Sequence, residues 1–393
     1  MTSRRGRLLL RAAPASLGYG CVAMAGWTSG LHIGLQEVAS FAMVLFGCLL
    51  IRYFQHAPIN VRSRLDMQQS HSTHDVPTPR LGGMAIFLSV VLTTAFFDGY
   101  FGGRYAKLII SAVPLIMVAM WEDGVRQTSA PVRLAATVLS ALLAIGALQS
   151  WLPRLDIPAI DPWMLGGFGI FMTVLYISAT VNAFNMVDGL NGLCAGIAFF
   201  AFLAFNIIAA QAGFAFMTHT TMVLAAAVAA FLLFNFPFGK IFLGDTGAYT
   251  LGFILSWFTV SLTYRFPEVS PWALFLVMAY PLSELCFTFI RRLAAGISPF
   301  APDQGHFHHL VLMSVQNAGW CGRGSRLCNP VATLFIMPLA IAPMIYAIVY
   351  FHDPARLMTG IVVYALLFVG SYLALAAHLK SARQAMSGQG ISQ

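Results

Sequence analysis

Long apolar segments, separated by short polar ones, recur along almost the whole chain. Most are long enough to cross a hydrocarbon core of about 30 Å as a helix, the form in which backbone groups in lipid can satisfy one another. The pattern predicts an all-α, polytopic membrane protein with about eleven transmembrane helices. A single transmembrane domain would span 34–379, between an N-terminal arm at 1–33 and a tail at 380–393. The expected helices lie at residues 34–52, 82–98, 108–121, 132–150, 163–181, 193–212, 219–236, 248–264, 271–290, 330–350 and 357–379.

The composition agrees with a membrane protein and excludes a water-soluble one. Hydrophobic residues make up 59% of the 393 residues and charged residues only 9%, too few to cover a soluble domain. The net charge of +8 does not indicate nucleic acid, because the basic residues are scattered between apolar segments instead of forming one face. The six cysteines lie mostly in or beside apolar segments and lack metal-site spacing, so we expect them to be packing residues.

The polar loops form two alternating sets that differ in charge. The loops at 52–81, 122–131, 182–192, 237–247 and 291–329, with the tail, carry 13 Lys and Arg residues when Arg133 at a span edge is counted with its adjacent loop, and the other set carries 5. Cytoplasmic loops are usually the richer in Lys and Arg, so the first set is expected to face the cytoplasm. The N-terminal arm opposes this orientation, because it would lie outside with four arginines of its own.

The segment NAFNMVDGLNGL offers oxygen ligands at the end of an apolar segment. Asn182, Asn185 and Asp188 are three residues apart and share one face if the helix continues through them. Carboxamide and carboxylate oxygens suit a hard cation such as Mg²⁺ and the phosphates that it bridges. A polar helix cap followed by a glycine turn is the structural alternative.

Two further segments of the same loop set carry carboxylates. Asp245 lies between glycines directly before an apolar segment, with Lys240 nearby, and either caps the following helix or binds a metal. Glu122 and Asp123 are adjacent at a helix end, so at most one of them should point toward a given ligand. Asp123 is the better candidate, and solvation at the membrane interface is the alternative for both.

Histidines cluster in the last loop of this set, in the segment SPFAPDQGHFHHL. His306, His308 and His309 follow Arg291 and suit a diphosphate better than zinc, since the nearest cysteines lack the spacing of a zinc site. Glu284 lies inside an apolar segment, where an ionisable group is normally functional or paired. The sequence does not identify its partner.

These segments, in this order and after THDVPTPRLGG at 73–83, resemble the polyprenyl-phosphate N-acetylhexosamine-1-phosphate transferase family over roughly residues 60–312. The resemblance implies an enzyme of the bacterial inner membrane with its active site facing the cytoplasm. It would transfer a sugar phosphate from a UDP-N-acetylhexosamine to undecaprenyl phosphate, release UMP and initiate an envelope polysaccharide. Magnesium would be the cofactor, with manganese as a substitute, and a homodimer is left open.

The histidine segment separates two branches of that family. Three consecutive histidines are typical of the muramoyl-pentapeptide branch, whereas His-Phe-His-His in this chain is similar to the N-acetylglucosaminyl branch. Glu122 and Glu284 stand where the family usually has aspartate.

Matching positions imply a role for each candidate residue. Asp245 and Asn185 would bind the metal, and Asp123, Glu122 and Asp188 would be catalytic. The implied substrate-binding residues are Asn182, Asn191, Lys240, Arg291, His306, His308, His309, His74 and Arg80.

Two other functional classes fit the chain less well. A transporter would need ionisable residues in several spans along one path, whereas here almost all of them lie at one surface. An inactive scaffold should have lost Asp245 or Asn185, and both are present.

Overall fold

A computed structural model describes residues 34–54, 78–96, 98–125, 128–298, 305–321, 325 and 327–389. Within these ranges the chain forms helices and no strand, which confirms the all-α class. The helices are α1 (Leu35–Tyr53), α2 (Gly82–Phe96), α3 (Asp98–Gly124), α4 (Ala130–Leu148), α5 (Asp161–Met164), α6 (Gly167–Val187), α7 (Leu193–Gln211), α8 (Ala215–Asn235), α9 (Gly244–Arg265), α10 (Pro271–Val277), α11 (Ala279–Ala294), α12 (Phe307–Asn317), α13 (Cys328–Tyr350) and α14 (Pro354–Gln389).

Every apolar segment expected to span the membrane lies on a helix, but the count of eleven spans is not confirmed. Among the described residues, eight helices are long and apolar enough to cross a membrane, and α10 with α11 adds a ninth span that bends by 81°. Helix α2 has only 15 residues, and α9 is not one of the eight. Helix α14 continues to Gln389, into the expected tail, whereas the N-terminal arm at 1–33 lies outside the described residues.

Helix α9 is buried in the bundle, which explains why it is less apolar than a lipid-facing span. All but four of its 22 residues are buried, and it contacts α2, α3, α6, α7 and α10. Three of its threonines donate to the helix itself: Thr250 to the Thr246 carbonyl at 2.6 Å, Thr259 to Leu255 at 3.4 Å and Thr263 to Thr259 at 2.7 Å. Hydroxyls satisfied in this way can be buried at little cost.

Helices α2 and α9 cross without intervening side chains. This crossing brings the loop before α2 into the site. A Cβ on Gly83 would collide with the backbone N and Cα of Gly247, so the two helices touch backbone to backbone. The Gly82 and Gly83 N–H groups donate to the Phe242 and Leu243 carbonyls at 3.1 and 2.8 Å. The segment before α2 is therefore tied to the segment before α9.

The cysteines differ from the expectation. Cys321 and Cys328 form a disulfide across a Cα–Cα distance of 5.5 Å, so the interpretation of all six as packing residues is wrong for this pair. Cys321 follows α12 and Cys328 begins α13, and contact between these helices brings together two residues that their spacing alone does not pair. Cys48 and Cys194 are free and buried, as expected, but Cys286 is free and exposed.

Candidate active site

Three aspartates from separate parts of the chain meet at the N-terminus of α9. Asp123, at the end of α3, accepts the Asp245 N–H at Oδ1 (2.9 Å) and the Thr246 N–H at Oδ2 (2.8 Å). Asp188, directly after α6, accepts the Gly244 N–H. The positive end of the helix dipole and its unpaired N–H groups favour carboxylates here. The third carboxylate, Asp245, belongs to the first turn of α9 itself.

The turn that begins α9 requires glycine. Gly244 has φ +75, and a Cβ there would lie 2.8 Å from both Asp123 oxygens and 2.6 Å from the Arg80 carbonyl. Only glycine combines this backbone conformation with so close an approach. The Gly-Asp-Thr-Gly sequence is thus explained by the contact with Asp123.

The electrostatics of the aspartate cluster centre on Asp188. Burial and the nearby Asp245 raise the pKa of Asp188 well above its usual range, and Asp123 adds to this, while Arg80 and the Gly244 N–H act in the opposite direction. Three carboxylates at such proximity repel one another unless a cation is bound. Two basic residues act on this cluster: Arg80, from the segment before α2, on Asp188 and Asp123, and Arg133, from α4, on Asp245.

Glu122 bonds to residues near the start of α4. It is 2% exposed, accepts the Thr128 hydroxyl at 2.8 Å and forms an ion pair with Arg133 at 3.4 Å. Adjacent residues on a helix point in different directions, and it is Asp123 that accepts the backbone N–H groups of α9. The contacts of Glu122 are those of a residue that joins the end of α3 to the start of α4.

The carboxamides that precede Asp188 lie on α6. This helix ends at Val187, so Asp188 follows the helix instead of continuing it. Asn182 donates from Nδ2 to the Ser178 carbonyl of its own helix at 2.7 Å. Asn185, one turn before the end of α6, is half-buried like Asp188.

Asn191 connects three parts of the chain and is only 5% exposed. Its N–H donates to Asn329 Oδ1 at 2.7 Å, its carbonyl accepts the Thr333 hydroxyl at 2.8 Å, and its Nδ2 donates to the Pro237 carbonyl at 3.0 Å. These contacts fix the loop after Asp188 against α13 and the loop before α9. A direct contact with a nucleoside would have to compete with them.

Asn235, at the end of α8, is a second such connector that the sequence analysis missed. Its Oδ1 accepts the Gly192 N–H at 2.6 Å, and its Nδ2 donates to the Ile241 carbonyl at 2.9 Å. A carboxamide that ends an apolar segment, as in FLLFN, was the signal available in the sequence.

The three histidines lie at the start of α12 and reach the aspartate cluster. Ring centroids are 5.6 Å apart for His306 and His308, whose planes are parallel within 3°, and 4.3 Å apart for His308 and His309. His308 is 1% exposed, and a Cβ on Gly189, the residue after Asp188, would collide with its Nε2. The histidine segment and the aspartate cluster are therefore parts of one site.

His308 is held neutral by this packing. Burial, followed by the neighbouring His309 and His306, lowers the pKa of His308 well below its usual range. A neutral imidazole donates one hydrogen bond and accepts another, so its chemistry toward an anion is that of a hydrogen-bond donor and not of a cation.

The remaining candidates are distributed around these groups. The Arg291 guanidinium lies against Gly305, next to the histidine segment. A Cβ added to Gly305 would be 2.9 Å from Arg291 Nη1. The Gly305 carbonyl accepts the Tyr372 hydroxyl of α14 at 2.9 Å. Lys240 is exposed on the loop before α9, and His74 lies outside the described residues.

Comparison with known proteins finds similarity to one family. A family model described as glycosyl transferase family 4 matches residues 105–263, which contain all three aspartates of the cluster. The chain is similar to this family over that part of its length.

Relatives from several bacteria are similar to most of this chain. Proteins named undecaprenyl-phosphate alpha-N-acetylglucosaminyl 1-phosphate transferase from Escherichia coli K12, Salmonella typhi and Yersinia pestis are 26%, 29% and 28% identical to it. The matches cover 70%, 72% and 70% of this chain and 76%, 77% and 76% of the relatives. They extend well beyond the 159 residues of the family model at 105–263.

Glu284 has its partner in the histidine segment. It is 2% exposed on α11, and its Oε1 lies 3.0 Å from His306 Nδ1. The Phe307 N–H, the first of α12, donates to both carboxylate oxygens at 3.0 and 3.2 Å. The ionisable residue that the sequence left without a partner thus caps the helix that carries the histidines.

The oxygen donors of the site suit a divalent cation bound together with phosphates. Within the described parts of the chain, no group of three or more His, Cys, Asp or Glu side chains is arranged to hold a metal ion by itself. Both Asp123 oxygens already accept backbone N–H groups, which leaves Asp188, Asp245 and Asn185 as donors. Mg²⁺ normally binds one or two carboxylates and completes its shell with water and substrate phosphates, so this donor set fits it.

Proposed function

We propose that the protein transfers an N-acetylhexosamine 1-phosphate from a UDP-sugar, such as UDP-N-acetylglucosamine, to undecaprenyl phosphate, with release of UMP. The observation that carries the proposal is the convergence of three aspartates and three histidines at one end of a membrane helix bundle. The relatives named as undecaprenyl-phosphate transferases support it over most of the chain's length. They lend no support to a transporter.

The reaction exchanges one phosphorus–oxygen bond for another. An oxygen of the lipid phosphate forms a bond to the β-phosphorus of the donor, and the bond from that phosphorus to the oxygen bridging to the α-phosphate breaks. UMP leaves with that oxygen, and the lipid-linked sugar diphosphate remains. Because the attacking phosphate is already anionic at neutral pH, catalysis consists mainly of positioning and stabilisation of charge.

Some residues of the site would bind the donor diphosphate, and others would position the helices that form the site. His306, His308 and His309, with Arg291 beside Gly305, provide donors for the diphosphate of the UDP-sugar. Asp123 uses both oxygens to hold the α9 N-terminus, so we assign it to positioning of the Asp245 turn and not to direct attack.

We further propose that the site works with Mg²⁺, for which Mn²⁺ can substitute. Asp188, Asp245 and Asn185 would hold the ion, and their proximity is otherwise unfavourable because the aspartates repel. A bound divalent ion neutralises charge on the donor diphosphate. Arg80 would compensate part of the remaining negative charge at Asp188 and Asp123.

The orientation in the bacterial inner membrane follows from the loop charges. The loops that contribute Asp123, Asp188, Asp245 and the histidines all belong to the basic set, which would face the cytoplasm. The cytoplasm is also the compartment in which UDP-sugars are made. A homodimer is compatible with this arrangement and is not required by the site.

The test uses membranes that contain the protein and a donor labelled in two places. UDP-sugars with ³²P in the β-phosphate and ³H in the sugar are supplied one at a time with undecaprenyl phosphate. We expect both labels to enter the lipid in equal amounts, with one UMP released for each. Entry of ³H without ³²P would mean transfer of the sugar alone, and no labelled lipid from any UDP-sugar would refute the proposal.

A further inference from the structure

We infer that Glu284 is a positioning residue for sugar-phosphate transfer and acts through His306 and the start of α12. The inference rests on the proposed function and adds a residue that touches neither substrate. It assigns a role to a buried acidic group within the bent span formed by α10 and α11.

The contacts of Glu284 converge on two consecutive residues. Oε1 accepts from His306 Nδ1 and from the Phe307 N–H, each at 3.0 Å, and Oε2 accepts from the same N–H at 3.2 Å. The Thr288 hydroxyl, one turn along α11, lies 3.4 Å from the same Nδ1. A single carboxylate therefore fixes both the ring of His306 and the first backbone group of α12.

The neighbourhood of Glu284 offers other partners that it does not use. Tyr280 and Tyr364 are within electrostatic range of its carboxylate. Among the described residues the buried hydroxyls of both tyrosines have no hydrogen-bond partner. Because a buried charge is costly unless well bonded, the choice of the histidine segment over these hydroxyls indicates a specific orientation.

Two consequences follow for the site. A carboxylate can only accept, so His306 carries its proton on Nδ1, and Nε2 is left to face a ligand. The start of α12 also sets the positions of His308 and His309, its second and third residues, and the His306 ring lies parallel to that of His308. Without the carboxylate, neither the tautomer of His306 nor the positions of the three histidines would be fixed.

The experiment measures kcat and KM for the donor in purified protein, for Glu284→Gln, His306→Gln and the double variant. Glu284→Asp tests rescue by a carboxylate, and Glu268→Gln, in the exposed loop before α10, is the matched control. We expect Glu284→Gln to lower kcat/KM about 10- to 100-fold, as loss of a group that orients a histidine typically does. Glu284→Asp should recover most of this, and Glu268→Gln should match the wild type.

The double variant decides whether Glu284 acts through His306. If it does, Glu284→Gln adds little to the loss caused by His306→Gln, because the two removals share one effect. Losses that multiply, or a Glu284→Gln variant with wild-type kcat/KM, would overturn the inference while leaving the proposed function intact. A wild-type protein that transfers no sugar phosphate would overturn both.

A second variant keeps the test independent of whether Glu284→Gln folds. In His306→Asn the amide takes the place of Nδ1 and can still donate to Glu284, but nothing replaces Nε2. We expect this variant to retain the wild-type unfolding temperature and to have a raised KM for the donor. Wild-type kinetics in His306→Asn would mean that no oriented ring is needed, and the inference would fail.

Discussion

At the scale of single residues, the acidic groups of the site differ in what their oxygens contact. Asp123, Glu122 and Glu284 are each bonded to other parts of the protein, through backbone N–H groups, Arg133 and Thr128, or His306 and Phe307. Asp188 and Asp245 are half-buried and lie close enough to raise the pKa of Asp188. Substitutions should therefore distinguish the roles of these two groups of acidic residues.

The first prediction concerns the metal. Asp245→Asn keeps the shape of the residue but removes one of the two carboxylates assigned to Mg²⁺, so turnover should fall by at least about 100-fold with the protein still inserted. Chelator should abolish wild-type activity and Mg²⁺ should restore it. Asp353→Asn, in the loop between α13 and α14, is the control and should behave as wild type. Full activity of Asp245→Asn at low Mg²⁺ would remove Asp245 from the site.

The second prediction concerns the neutral His308. Its pKa is lowered in the folded protein, so the unfolded chain takes up a proton first as pH falls, and the stability contributed by the neutral ring is lost below about pH 6.5. The wild-type unfolding temperature should therefore drop more steeply than that of His308→Gln between about pH 7 and about pH 5. The readout is tryptophan fluorescence on heating in detergent. Parallel pH dependences would show that this histidine is not buried neutral.

At the scale of elements, the site depends on how closely helices approach. Contact between Gly83 and Gly247 places α2 directly on the first turn of α9. The glycines at residues 189, 192 and 244 leave room for side chains from other elements. Between lipid-embedded helices such close packing replaces the hydrophobic effect as the source of stability.

The third prediction follows from this contact. A Cβ on Gly83 meets backbone atoms of Gly247, which cannot yield as a flexible side chain could, so Gly83→Ala should destabilise the protein by about 1–3 kcal/mol. Gly146→Ala is the matched control on α4, where an added Cβ meets nothing within 4 Å. Unfolding temperatures measured side by side in detergent check this. Equal temperatures would mean that α2 shifts on α9 without cost.

At the scale of the whole molecule, the functional groups gather at one end of the bundle while the other loop set carries few. The fourth prediction is that this end faces the cytoplasm. Reporter fusions after residues 185, 245 and 308 should give cytoplasmic signals, and fusions after 268 and 353 should give external ones. An external signal after residue 245 or 308 would contradict the orientation.

The disulfide provides an independent check of the same orientation. Cys321 and Cys328 lie at the end of α12 and the start of α13, beside Asn329, which holds Asn191. Cytoplasmic thiols are normally kept reduced, so this pair, although placed to form a disulfide, should be found as two thiols in cells if the face is cytoplasmic. Maleimide labelling in lysates quenched with acid should then add two groups relative to the Cys321→Ser, Cys328→Ser double variant. An intact cross-link in cells would favour an oxidising compartment for this face.

Much of the fold was readable from the sequence because hydropathy is a property of consecutive residues. The apolar segments by themselves determined an all-helical membrane protein, and all of them proved to lie on helices. Polar residues are so few in this chain that Asp123, Asp188, Asp245 and the three histidines stood out without a structure. The number of spans was harder to predict from the sequence. A helix buried in protein, such as α9, packs against neighbouring helices and not against lipid, so its hydropathy does not mark it as a span.

Only the tertiary structure decided how these residues are used, since the deciding contacts join distant parts of the chain. Asp123 and Asp245 are 122 residues apart, and no local pattern shows that the oxygens of one hold the backbone of the other. The same applies to the pairing of Glu284 with His306 and to the bond between Cys321 and Cys328. A sequence shows which groups are available, whereas the direction in which each group points depends on the packing of helices from the whole chain.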